Sequence, residues 1–170
     1  MNHIYRFTVF VAFVMGLAAL PAAGQDQSET PDRIHSALKD DQDKGLTRFE
    51  NADNESQTTV TNNLLKKLDK GDWQDKKEAF SLLTFLGKKS PEVVVPQLQK
   101  TLQTANREEN IAFQLEVIHL LGAMGSAAEK AAPVLARSVS EGSPGIRHAA
   151  VQALGEIGSG DAKTLDVLAQ

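Results

Sequence analysis

A chain of 170 residues has room for one domain, and its 41% hydrophobic content is ordinary for a globular protein. It contains no cysteine, which excludes disulfides, thiolate metal sites and a lipid-modified cysteine. Acidic residues outnumber basic residues by 22 to 18, and the lysine pairs are interspersed with aspartates and glutamates. Nucleic acid and anionic membrane surfaces are therefore not expected as partners.

The first element along the chain is an apolar leader. Arg6 is its only full charge, residues 7–20 are uncharged and mostly apolar, and Ala22 and Gly24 stand at the −3 and −1 positions of a cleavage site. As a helix the run spans about 21 Å, short of the roughly 30 Å hydrocarbon core, which favours a signal peptide at residues 1–24 over an uncleaved anchor. We therefore expect an exported protein, periplasmic or extracellular, with no stable membrane insertion after cleavage.

The next segment, residues 25–56, is mostly polar or charged and has no sustained period. Its few large apolar side chains are not expected to bury enough surface to offset the entropy of ordering. We predict a flexible or weakly helical arm, in which Pro31 starts a short helix through Leu38 with Thr30 as its N-cap.

After Ser56 apolar residues recur at helical spacing, and residues 57–170 are predicted to form one all-α domain. A first helix runs through Val60 and Leu64 and should stop at Gly71. Further helices are expected near residues 73–87, 91–104, 108–124, 127–140, 144–157 and 161–169. No useful stretch alternates with period two, so no strands are expected.

A repeat of 33 to 35 residues organises this domain. It is marked by three Leu-Gly pairs, whose glycines are Gly87, Gly122 and Gly155. The residues two, four and five positions before each glycine are apolar every time, which predicts that the first helix of each pair presents one stripe to the core. The residues four positions before are Leu83, Ile118 and Val151.

A second helix is predicted after two of these glycines, with Pro96 and Pro133 at matching positions. Proline in the first turn of a helix costs little, whereas a proline deeper in the helix would kink it. The third pair is shorter, since only Leu165, Val167 and Leu168 remain as large apolar residues after Gly158.

Residues 146–158 read Ile-Arg-His-Ala-Ala-Val-Gln-Ala-Leu-Gly-Glu-Ile-Gly. This resembles the first helix of HEAT repeats of the bacterial phycobilisome-lyase type, and the likeness covers about residues 72–170. It implies a short α-solenoid of about three HEAT-like helix pairs, whose second helices line an extended concave surface. The small residues Ala149, Ala150 and Ala153 allow close helix packing, and Gly155 and Gly158 are both expected to end a helix in the left-handed conformation.

Two enzyme classes share HEAT-like arrays. Deoxyhypusine hydroxylases bind two irons through His-Glu pairs, but none of His3, His35, His119 and His148 is followed by Glu. Bilin lyases act on chromophores in the cytoplasm, which the leader argues against. Catalytic triads, phosphate loops and metalloprotease motifs are absent from the sequence. We therefore expect no enzyme, no cofactor and no metal, and a bilin lyase-type accessory protein is the weakest alternative.

Protein binding is the expected function, with a protein or peptide as the partner. The predicted groove is formed by polar residues of the second helices, Gln97, Gln99, Lys100, Gln103, Lys130 and Arg137. We expect Trp73 to seal the end of the core, with an exposed binding anchor as its alternative. A structural subunit is the alternative function: the array lacks an evident cap, so Leu165, Val167 and Leu168 would dock onto another subunit or another protein.

Overall fold

The computed structural model describes residues 29–104 and 110–158, and this part of the chain is α-helical without strands. The helices are α1 (Pro31–Asp40), α2 (Gln42–Asn51), α3 (Asn54–Lys70), α4 (Trp73–Lys89), α5 (Pro91–Thr104), α6 (Ile111–Met124), α7 (Ala132–Glu141) and α8 (Pro144–Ile157). A 3-10 helix, Gly125–Ala131, joins α6 to α7. The predicted all-α class is confirmed.

Aspartates at the N-caps explain where three of these helices begin. The side chain of Asp41 accepts hydrogen bonds from the backbone N–H groups of Asp43 and Lys44, which starts α2. Asp53 and Asp72 each accept one such bond, of 2.6 Å and 2.9 Å, at the starts of α3 and α4. Each bond satisfies an N–H group that the helix itself leaves unpaired.

Most predicted helix boundaries agree with the structure to within a few residues. Helix α3 stops at Gly71, although this glycine is extended and not left-handed. The segment predicted at 127–140 is divided into the 3-10 helix and α7, with Pro133 in the first turn of α7 and Pro96 inside α5. The helix predicted at 161–169, like the leader, lies outside the described residues.

The segment predicted to be a flexible or weakly helical arm is helical and packed on the repeat domain over its described residues, 29–56. Helices α1 and α2 form a hairpin that packs against α3, and α3 itself begins before the predicted domain boundary. Ile34 and Phe49 are fully buried, and Leu38 is 1% exposed. A few apolar residues are enough to order these two helices, because each residue lies on the inner face of a short amphipathic helix and packs against the apolar surface of α3. The predicted helix from Pro31 through Leu38 is confirmed.

The remaining helices stack in two rows. Helices α4, α6 and α8, which carry the three Leu-Gly pairs, pack side by side, and α3, α5 and the 3-10 helix with α7 form the second row. Contacts run mainly between near neighbours, as in a solenoid. The α1–α2 hairpin packs on the α3 and α4 side of the stack, so this array has a cap at its N-terminal end.

The apolar stripe of the first helices is confirmed in α4 and α6. Leu83 and Ile118 are fully buried, and the leucine before each glycine is also buried. The prediction is wrong at one position of α8, because Val151 is 41% exposed. Gly158 ends α8 in the left-handed conformation as predicted, whereas Gly155 remains helical.

One described stretch, Ile111–Glu141, is long and apolar enough to suit a membrane span by length and composition. It is not a single straight helix, because Gly125, with φ 61° and ψ −141°, ends α6 before the 3-10 helix begins. Val117 and Ile118 in this stretch are fully buried in the core. We therefore interpret its hydropathy as that of a core helix.

Candidate protein-binding site

The predicted groove residues lie on the second row of helices. Gln97, Gln99, Lys100 and Gln103 are on α5, Lys130 is in the 3-10 helix, and Arg137 is on α7. The amide of Gln99 donates a 2.6 Å hydrogen bond to the backbone carbonyl of Lys130. This bond connects neighbouring repeats, so Gln99 supports the stack in addition to any role at a surface.

Gln103 and Arg137 line one cavity of about 80 Å³ between α5, α7 and the start of α8. Leu102, Val134 and Ile146 supply its apolar wall. Lys100 is exposed and Gln97 is half-buried, and neither lines this cavity. The structure thus brings four of the six residues together in two separate pairs, Gln99 with Lys130 and Gln103 with Arg137. Gln97 and Lys100 belong to neither pair, so the six residues do not form one continuous site.

The structure also contradicts the prediction for Trp73. It does not seal the core, because 80% of its surface is exposed. Asp72 caps α4 immediately before it, which places Trp73 at the first helical position, where its side chain projects away from the stack. A helical wheel gives the same result: Trp73 lies about 130° from the centre of the α4 core stripe.

A mostly apolar cavity of about 290 Å³ opens beside this tryptophan. Its walls come from three helices: Leu68 from α3, Phe80 and two lysines from α4, and Glu116 from α6. Phe80 is only partly buried and packs against the core. An exposed indole next to an apolar hollow is typical of a surface that receives a side chain from a partner.

An ion pair forms one edge of this cavity. The Lys76 ammonium lies 3.3 Å from Oε1 of Glu116, and this contact holds α4 to α6. The other carboxylate oxygen, Oε2, is shielded from solvent and has no hydrogen-bond partner among the described residues. The charge of Glu116 is therefore balanced by Lys76, while half of its hydrogen-bonding capacity is unused.

A second cluster of charges joins the N-terminal cap to the stack. Nε2 of His35 lies 3.3 Å from the Lys67 ammonium and 3.6 Å from Oε1 of Glu78. The other carboxylate oxygen of Glu78, Oε2, lies 3.2 Å from the Lys39 ammonium. Burial, and then the positive charge of Lys67, lower the pKa of His35. A neutral ring that accepts a hydrogen bond from Lys67 fits this environment, so we interpret the cluster as structural.

The described residues contain no group of three or more His, Asp or Glu side chains placed to hold a metal. His119 and His148 are exposed on α6 and α8, and His35 belongs to the cluster above. His3 lies outside the described residues.

The family model described as HEAT repeats matches residues 98–170, which include α6, α7 and α8. This part of the chain consists of HEAT-like repeats. The stacked helix pairs of the structure agree with that match, while the likeness to the phycobilisome-lyase type stays a prediction. No curated protein and no solved structure matches the chain.

Proposed function

We propose that this chain, with HEAT-like repeats over residues 98–170, is a non-catalytic scaffold module that binds a protein partner in the cell envelope. HEAT repeats mediate protein interaction or scaffolding in general. The observation that favours binding here is the 80% exposed Trp73 above a mostly apolar cavity. A large aromatic side chain left in water has an unfavourable hydration that a partner can relieve.

The chemistry of the cavity indicates what the partner presents. A volume of about 290 Å³ with apolar walls suits one or two apolar side chains of a peptide or a loop. Lys76 and Glu116 at the edge can pair with polar groups on either side of that apolar contact. We expect the partner to be a protein segment with an apolar anchor flanked by polar residues.

Trp73 can supply much of the affinity. Aromatic side chains bury about 150 to 250 Å² at an interface, and at about 25 cal/mol per Å² this gives roughly 4 to 6 kcal/mol before ordering costs. After those costs, truncation of such an anchor to alanine removes about 2 kcal/mol or more of binding free energy, which corresponds to at least about a 30-fold loss of affinity.

The groove residues Gln103 and Arg137 form a second candidate surface, favoured by the cavity that they share. Reversing the charges of Lys100 and Arg137 tests it. Arg137 lines the cavity and Lys100 does not, so a groove partner should lose affinity mainly with Arg137→Glu. Binding that is unchanged in the Lys100→Glu, Arg137→Glu double variant would remove the groove from the proposal.

The experiment for the Trp73 surface begins with affinity capture of partners from the native envelope fraction. Affinity for the captured partner is then measured for the wild type, for Trp73→Ala, and for Gln74→Ala as an exposed neighbour on the same turn. Trp73→Ala should weaken binding at least about 30-fold, and Gln74→Ala should stay near the wild type. Equal affinity of all three proteins would contradict this site.

The tryptophan also reports on its own burial. It is the only tryptophan in the chain, so fluorescence excited selectively at tryptophan comes from this position alone in the free protein. Binding at the proposed surface should shift its emission to the blue, because the indole leaves water. A captured partner that binds without any change in emission uses another surface.

Export is a separate part of the proposal, carried by the apolar leader at residues 1–24. Cell fractionation, together with intact mass of the purified protein, tests it. We expect the protein in the envelope fraction, with a mature chain that starts at Gln25. A cytoplasmic protein that keeps its leader would contradict export without affecting the Trp73 surface.

A further inference from the structure

The three first helices can be compared position by position. Four residues before the repeat glycine stand Leu83 and Ile118, both fully buried, and Val151, which is 41% exposed. The three positions are equivalent in the repeat, so the difference does not come from the helix itself. It comes from what lies beside the helix.

The glycines show which neighbour is involved. A Cβ on Gly87 would meet the side chain of Met124 on α6, the next first helix. A Cβ on Gly122 would meet the Glu156 carboxylate and lie 3.2 Å from the Cα of Ala153, both on α8. A Cβ on Gly155 would have nothing within 4 Å. The glycine position therefore faces the following repeat, and α8 presents this face without a described neighbour.

The open face of α8 includes Arg147, Val151 and Gly155, which are spaced at four-residue intervals on one side of the helix, and the exposed polar residues His148 and Gln152 lie beside them. Ala153 and Glu156, which lie next to Gly122 of α6, are on the opposite side. The open face thus continues the row formed by α4, α6 and α8, and another helix can occupy it at the same close approach.

We infer that this face binds the same face of a second copy of the chain, so that two α8 helices pack antiparallel about a twofold axis near Val151. Stacking head to tail would need an open face at the N-terminal end as well. There the α1–α2 hairpin packs on α3 and reaches α4 through the 3.2 Å ion pair between Lys39 and Glu78. A pairing of identical faces needs only the open face of α8 on each copy, and it gives a closed twofold dimer that adds no further copies.

Charge and space favour the antiparallel arrangement. With Val151 at the axis, Arg147 of each copy lies opposite Gly155 of the other. That glycine leaves room for the long side chain and sits in the last turn of its helix, where the carbonyl groups carry partial negative charge. A parallel pairing would place the two Arg147 side chains against each other.

The contact is small. Helix α8 has 14 residues and is about 21 Å long, so the buried area falls in the range of weak, reversible interfaces. The dimer should therefore form at high protein concentration and dissociate on dilution.

The chain contains no cysteine, so a single introduced cysteine supplies the only thiol and can report whether two copies meet at Val151. The protein is used as purified from the producing cell. Val151→Cys should form a disulfide-linked dimer under mild oxidation, because the axis places the two thiols together. Thr47→Cys, exposed on α2 at the other end of the molecule, is the matched control and should remain monomeric. For the wild-type chain, light scattering should show a mean mass that rises from that of the monomer toward that of the dimer as the protein concentration increases. Val151→Arg should raise the concentration at which the dimer forms at least about tenfold.

Two results would overturn the inference. The first is a monomer whose introduced thiol in Val151→Cys reacts freely with an alkylating reagent, which means that the face stays open. The second is a monomer whose thiol is protected and becomes reactive after removal of residues 159–170, which means that the chain covers its own face.

Discussion

The N-terminal cap makes the sharpest prediction about stability, at Phe49. Its ring is fully buried between the α1–α2 hairpin and the core, and its carbonyl accepts a 2.8 Å hydrogen bond from the Gln57 amide. Phe49→Ala keeps this backbone bond and removes only the ring. Burial losses of this kind cost about 3 to 5 kcal/mol. Because the hairpin contacts mainly α3, the loss should be concentrated in α1 and α2.

Hydrogen exchange measured by mass spectrometry locates that loss. Amides of α2 should be protected in the wild type, and Phe49→Ala should reduce their protection about 100-fold or more, as expected for 3 kcal/mol. Amides around Ile118 in α6 should change much less. Glu50→Ala, an exposed neighbour, is the control and should change stability by less than about 0.5 kcal/mol. If the α2 amides of the wild type exchange as fast as in an unfolded chain, the α1–α2 hairpin is not packed on α3 and the segment is a flexible arm.

Two further predictions concern the repeat glycines and the half-buried His35. Gly155→Ala should raise the free energy of unfolding by up to about 1 kcal/mol in dilute monomer. Gly122→Ala should not, because its Cβ would meet the Glu156 carboxylate and also lie 3.2 Å from the Cα of Ala153. Equal effects of the two substitutions in chemical denaturation would contradict the stacking register. Burial and the positive charge of Lys67 lower the pKa of His35 in the folded state below its value in the unfolded chain. The neutral ring therefore contributes stability above about pH 6.5, and this contribution is lost as the pH falls through the lowered pKa. His35→Gln should therefore flatten the fall in stability between about pH 7.5 and 5, and an unchanged slope would show that this ring does not titrate differently on folding.

The repeat domain could be predicted closely from the sequence. Apolar period, N-terminal aspartates and glycines act within a few residues of one another, so the helix positions from α3 to α8 and the buried stripe with Leu83 and Ile118 follow from local pattern alone. The family model supports the same interpretation for residues 98–170. Among the predicted groove residues, the pattern identified the second row of helices correctly.

Three features were decided by tertiary structure. Residues 31–51 have too few apolar side chains to order alone, yet they are helical because α3 offers a surface on which to bury them. Trp73 is exposed because α4 turns it away from the stack, and Val151 is exposed because no described helix follows α8. Hydrophobic periodicity determines which face of a helix is apolar. Whether a neighbour covers that face depends on contacts between residues far apart in the chain, which a local pattern does not contain.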